Sequence, residues 1–197
     1  DVMDEARNLA LELLGLEGKG YKALFLQGGA STQFLMTAYN LLQTKAGYIN
    51  TGTWSDKAIK EAKLFGEVVE VASSKDANYN YIPKGFISRQ LDFSMFDMIY
   101  AGAQKNMGPA GTTLVIIKED ILGKVSRQIP SMMDYATHIS KSSMFNTPAV
   151  FSVYVSMLTL RWLKKLGGIP AIEEINDRKA TLLYSEIELN PLFKGFA

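Results

Sequence analysis

Apolar residues recur along the chain at two spacings, and the alternation between these predicts the architecture. DVMDEARNLALELLGLEG, at the start, repeats apolar positions at helical spacing with acids among them, as an amphipathic helix does. The run Tyr21 to Gln27 (YKALFLQ) reads as a strand, ends in Gly28-Gly29-Ala30-Ser31, and gives way to STQFLMTAYNLL, where the helical spacing returns. The order recurs. AGYINTGTW predicts a short strand leaving at Gly52, SDKAIKEAKLFG a helix capped by Ser55 and stopped by Gly66, and EVVEVASS a further strand. Phe96 to Tyr100 (FDMIY) and Thr112 to Ile117 (TTLVII) are two more β-rich runs, separated by the small-residue segment AGAQKNMGPAG. A long helix is predicted from Ala149 to Leu166; Gly167-Gly168 stops it, and Pro170 can open another through EEINDRKATLLYSEIE. Strands alternating with helices imply an α/β fold with a mostly parallel sheet flanked by helices, and a ligand site at the carboxyl ends of the strands. The glycine pair is read as a hinge between residues 1–166 and residues 167–197.

Composition narrows the function classes. With 197 residues, 47% of them hydrophobic, the chain can bury a real core. Lysine plus arginine is 21 against 20 acids, a net charge of +1, which gives no electrostatic reason to expect nucleic acid or an anionic membrane. There is no cysteine, so disulfides and thiolate metal sites are excluded and the cytoplasm is the expected compartment. The start has neither the basic residues nor the apolar run of a signal peptide, and no apolar stretch is long enough to span a bilayer.

Few residues are placed to do chemistry. Lys105 sits in a turn between two apolar strands, where its amine would emerge at the sheet edge that holds ligands in such folds. An amine partly withdrawn from water there gives up its proton more readily and can form an imine with an aldehyde; the alternative is a solvated loop lysine. The turn Gly28 to Ser31 opens a helix, whose free N–H groups and positive dipole end suit a phosphate, although glycine also serves wherever a strand turns tightly into a helix. Trp54 follows the next strand and could stack on a planar ring or belong to the core. In SMFNTP, Asn146 and Thr147 precede the long helix, where the default role is capping. His138 is the only histidine, so a two-histidine metal site is impossible; no metal is expected, and His138 itself is read as a loop residue.

Five segments, LFLQGGASTQF, GYINTGTWSDKAIKEAKLFG, IYAGAQKNMGPAGTTLVII, PSMMDYATH and SMFNTPAVFSVY, closely resemble the phosphoserine aminotransferases, a class V family of fold-type-I pyridoxal-phosphate (PLP) enzymes. They occur in the family's order, from Leu24 to about Glu186. The resemblance implies one PLP per subunit, with Lys105 as the Schiff-base lysine and proton carrier. It also implies that Gln104 contacts the cofactor, that Ala30 and Ser31 hold its phosphate, and that Trp54 lies against its ring. Asn146 and Thr147 correspond to a pair that reaches the neighbouring subunit's cofactor, implying a homodimer with shared sites. The implied reaction exchanges an amino group between glutamate and 3-phosphohydroxypyruvate, giving 2-oxoglutarate and O-phosphoserine in serine biosynthesis. Bacterial members also serve pyridoxine biosynthesis.

Departures from the family are equally specific. The chain is contracted near Gly85 and Phe86, where the family carries a long stretch with a threonine and the aspartate that pairs with the pyridine nitrogen. Asp92 and Asp97 are poor substitutes, since they precede the FDMIY run at its far end. Also missing are the opening segment with its histidine and arginine, and most of the C-terminal small domain. We read the chain as the larger part of a longer protein, met without its cofactor, rather than as a true deletion. Two readings stay open beside this one: another class V transaminase, and a catalytically dead PLP-fold protein serving as a binding or dimerisation partner.

Overall fold

The computed structural model describes residues 1–85 and 92–196. Helix α1 (Val2–Leu13) is followed by β1 (Tyr21–Leu26), α2 (Gly29–Leu41), β2 (Lys45–Asn50), α3 (Thr53–Ala62) and β3 (Glu67–Ser73). Then come β4 (Met98–Gly102), β5 (Thr113–Lys118), the short α4 (Tyr135–Ser140), α5 (Val150–Leu166) and α6 (Gly168–Leu189). Among the described residues, no helix is long and apolar enough to cross a membrane.

Sheet direction departs in part from the expectation. β2 and β3 pair in parallel, with α3 carrying the chain between them. β5, however, lies between β1 and β4 and runs antiparallel to both, so β1 and β4 run in the same direction. The cause is the connection: β4 and β5 are joined by a loop without a helix, too short for the crossover that a parallel neighbour needs. Among the described residues the two sheets are separate, β2 with β3 and β1 with β5 and β4, and the contraction read near Gly85 and Phe86 falls in the chain between β3 and β4. The residue after Gly85 lies outside the described part.

Two apolar layers clamp the β1-β5-β4 sheet. On one face, Ala23, Phe25, Leu114 and Ile116 pack with Met3, Ala6, Leu9 and Ala10 of α1 and Val153, Met157 and Leu160 of α5. Leu24, Leu26, Val115 and Ile117 point to the other face, toward Met36 of α2 and Tyr135 of α4. Alternate strand residues therefore serve opposite layers, and both are apolar because helices cover both sides.

The second layer contains a buried polar network. Asn40 of α2 donates to the carbonyls of Met36 (2.8 Å) and Met133 (2.7 Å) and accepts from the Tyr135 N–H (3.2 Å). The Tyr135 hydroxyl donates to Gln33 Oε1 at 2.6 Å. Burial pushes the Tyr135 phenol far up, so it stays protonated as a donor. At the carboxyl end of α2, around Asn40, the Arg127 guanidinium donates to the carbonyls of Ala38, Tyr39 and Leu42, satisfying the helix terminus. α2, which opens at the glycine turn, is thus fixed along its length.

Candidate active site

Gly28 and Gly29 have φ of 92° and 68°, a left-handed turn that L side chains adopt at a cost. A Cβ at Gly28 would also stand 2.1 Å from Thr32 Oγ1, the hydroxyl that donates to the Gly28 carbonyl at 2.9 Å. Glycine is therefore required there twice over, by conformation and by space. No side chain caps α2, so the N–H groups around Ala30 and Ser31 remain available to an anion.

The Lys105 turn grows from the carboxyl end of β4. The Ala103 N–H donates to the Thr112 carbonyl at 3.0 Å, and the Met107 N–H to the Ala103 carbonyl at 3.3 Å, closing the loop at its base. Its far side rests on α5: a Cβ on Gly111 would meet Ser152 Oγ at 2.6 Å, and that hydroxyl donates to the Ala110 carbonyl at 2.8 Å. Two small polar residues, Ser152 and Ser156, interrupt the apolar inner face of α5 where this loop approaches. Lys105 itself is exposed, so within this chain it is not withdrawn from water as expected. Gln104 folds its amide back over Gly102, where a Cβ would lie 2.3 Å from Gln104 Oε1.

Trp54, in the first turn of α3, is 61% exposed and is no core residue. Its ring centroid lies 6.5 Å from that of Phe34 in α2, and Phe34 lies 6.2 Å from Tyr100 in the middle of β4. This aromatic bridge packs α2, α3 and β4 against one another; α2 opens at the glycine turn, and β4 leads into the Lys105 turn. Burial raises the Tyr100 phenol, which stays neutral beside the site. Phe34 and Tyr100 escaped the sequence reading because an aromatic in an apolar run looks like core.

Positive charge stands beside Trp54. Lys57 Nζ stands 4.4 Å from the Trp54 ring centroid, and among the described residues neither Lys57 nor Lys105 is in an ion pair. The nearby acid Asp56 is held by Lys60 at 3.0 Å and Lys75 at 3.6 Å; its hydrogen bond to Lys60 draws its carboxyl below the usual range. Asp92 and Asp97 lie ahead of β4, at the end away from Lys105, with Asp97 bound to Lys118 at 2.7 Å. Among the described residues no group of three or more His, Cys, Asp or Glu could hold a metal ion.

Three local expectations are corrected. Ser55 is not the cap of α3, which is Gly52: it sits inside the first turn and turns back, its hydroxyl accepting from the Thr51 and Gly52 N–H groups at 3.0 Å each, the role of the third helical residue in a capping box. Asn146 and Thr147 do not cap α5, which begins at Val150; both side chains are exposed, and the Thr147 carbonyl accepts from Gln27 Nε2 at 2.6 Å. His138 is no loop residue: it lies in α4, 3% exposed, with Nε2 2.9 Å from the Met132 carbonyl.

Comparison with known proteins fits this geometry. The profile of the class-V aminotransferases matches residues 84–196. The phosphoserine aminotransferase of Flavobacterium johnsoniae is 59% identical over 238 positions, covering 100% of this chain and 67% of that protein. Since the chain has 197 residues, about 41 of those 238 positions have no counterpart here. Among solved structures, the phosphoserine aminotransferase from Bacillus circulans subsp. alkalophilus superposes with a TM-score of 0.87 at 35% identity, over 95% of this chain and 64% of its own. Another, studied for radiation damage of its Schiff base, gives 0.88 at 40% identity, with the same coverage. The chain thus spans about two thirds of the length of these relatives.

Proposed function

Because the chain belongs to the class-V aminotransferase family and, within it, to the phosphoserine aminotransferases, we propose that its protein exchanges an amino group between glutamate and 3-phosphohydroxypyruvate, using PLP on Lys105. The observation that supports this reading is the contact of Phe34 with Trp54 and Tyr100, which joins α2, opened by the uncapped glycine turn, to α3 and to β4, the strand that runs on into the Lys105 turn. A phosphate fits the glycine turn, a planar ring the exposed Trp54 face and an aldehyde the Lys105 amine. When bound, PLP supplies the electron sink that lets an amino acid lose its α-proton.

The chain's own residues have distinct tasks. The N–H groups at Ala30 and Ser31 and the helix dipole would hold the phosphate, Trp54 would cover the ring, and Gln104 would contact it from the lysine turn. Lys105 Nζ would move the proton between substrate Cα and the ring-side carbon. Replacing Gly102 by alanine should push Gln104 aside and weaken PLP binding by about five-fold, the worth of one hydrogen bond. Only the far end of a flexible side chain has to shift, so the melting temperature should stay within about 2 °C of wild type, and equilibrium titration beside a melt checks both.

The enzyme is proposed to be a cytoplasmic homodimer. On α5, Val150, Tyr154, Leu158 and Trp162 recur every fourth residue and are exposed, as is Phe151, at 72%. An apolar stripe of this kind marks an interface, and it adjoins Asn146 and Thr147, the pair read as reaching the partner's cofactor. Residues 1–166 would form the cofactor-binding domain and 167–197 the start of the small domain. Most of the unmatched positions are inferred to lie near 85–86, between β3 and β4 in the chain, with a smaller contraction near Glu188 and Leu189. A direct test supplies the full-length protein with PLP, O-phosphoserine and 2-oxoglutarate and follows glutamate. Glutamate formed from O-phosphoserine supports the proposal; glutamate formed from alanine or serine instead identifies a different class-V transaminase.

A further inference from the structure

We infer that Gln27 is a positioning residue that ties the two cofactor sites of the dimer together through one strand. The inference rests on the shared-site reading above. β1 ends directly in the turn Gly28 to Ser31, so the strand sets that turn's position. The same strand end also holds the segment carrying Asn146 and Thr147. The Phe25 N–H donates to Ser143 Oγ at 3.1 Å in a buried contact, and two residues on, Gln27 Nε2 donates to the Thr147 carbonyl at 2.6 Å. The Phe25 main chain, in β1, and the Gln27 side chain, just past the strand's end, thus hold this segment at two points, residues 143 and 147.

The gripped segment is not one that would hold its shape alone. Ser142 and Ser143 have φ of 52° and 70°, a left-handed pair without a glycine, which persists only where surrounding contacts impose it. The contacts are visible: the Ser143 N–H donates to the His138 carbonyl at 2.9 Å, and the Phe145 ring meets the His138 ring edge-on at 5.9 Å. These fix the segment near residue 143. Beyond it, Gln27 is the side chain that fixes the backbone at Thr147, beside the two side chains offered to the partner. A subunit's own phosphate turn and its contribution to the partner's site are thus one mechanical unit, with Gln27 at the joint.

Mixed dimers of the full-length protein separate this role from a purely local one. One subunit carries Gln27→Met, which keeps length but removes the donor, together with Lys105→Ala; its partner is wild type. Only the wild-type subunit can then show the absorbance band of lysine-bound PLP, and its site borrows Asn146 and Thr147 from the altered subunit. PLP should leave that site about five-fold faster than in a control dimer whose altered subunit carries Lys105→Ala alone, matching the loss of one hydrogen bond. Equal rates would overturn the inference. A third dimer, with Asn146→Ala and Lys105→Ala in the altered subunit, tests the underlying reading separately. If Asn146→Ala speeds PLP loss and Gln27→Met does not, sites are shared but Gln27 does not couple them. If neither does, sharing through this segment is wrong.

Discussion

Lys105→Ala should leave a folded protein that binds PLP without a covalent link and transfers amino groups at least about a thousand-fold more slowly, the scale set by losing a positioned proton carrier. Lys105 is exposed and, among the described residues, makes no hydrogen bond or ion pair, so its removal should alter stability by no more than about 0.5 kcal/mol. The covalent link is lost outright, since no other side chain occupies that turn with an amine. Initial rates of glutamate formation, compared at saturating PLP, check the expectation. A variant retaining more than about a tenth of the wild-type rate would mean that the turn is not where the chemistry happens.

The largest effect on stability is expected far from that amine. Asn40→Ala removes a side chain that is 2% exposed and makes three hydrogen bonds: two donated to main-chain carbonyls and one accepted from the Tyr135 N–H. Donors and acceptors left behind in a buried layer each forfeit their hydration without compensation, so the summed cost is about 3 kcal/mol. For a domain of this size that lowers the melting temperature by about 6–12 °C. The melt should be recorded on cofactor-free protein, because ligand binding raises apparent stability and would mask part of the loss. A decrease under about 2 °C would show that α2 is not held by this network.

Much of the architecture was legible from spacing. Helical periodicity in VFSVYVSMLTLRWLKKL gives α5, and the glycines after Leu26 and Leu166 mark real chain reversals with positive φ. Strand direction was less legible, because alternation says nothing about a strand's neighbour. The clue was the segment from Ala103 to Thr112, which is short and without helical periodicity, and such a link returns the chain antiparallel. Asn146 and Thr147 looked like caps because their residue types suit capping, yet Pro148 and Ala149 still separate them from the helix. Ser152 and Ser156, seen as interruptions of an apolar face, were the sequence trace of a loop packed against α5.

The site was legible by residue type and not by convergence. Lysine in a small-residue turn, glycines opening a helix and a tryptophan after a strand each have an ordinary explanation. What joins them is Phe34, whose neighbours Trp54 and Tyr100 are 20 and 66 positions away in the chain. Contacts over such separations are made by packing and leave no local pattern. The resemblance to the phosphoserine aminotransferases is what groups Ala30, Ser31, Trp54, Gln104 and Lys105 as one expected site.

The central claim is that this chain carries a PLP site built on Lys105. Its most direct test is to mix the full-length protein with PLP, trap the covalent link with borohydride, digest, and locate the modified lysine by mass spectrometry. The account predicts one modified peptide, containing Lys105, and its disappearance when O-phosphoserine is added before the borohydride. Modification at Lys57 or another lysine in place of Lys105, or none at all, would contradict it.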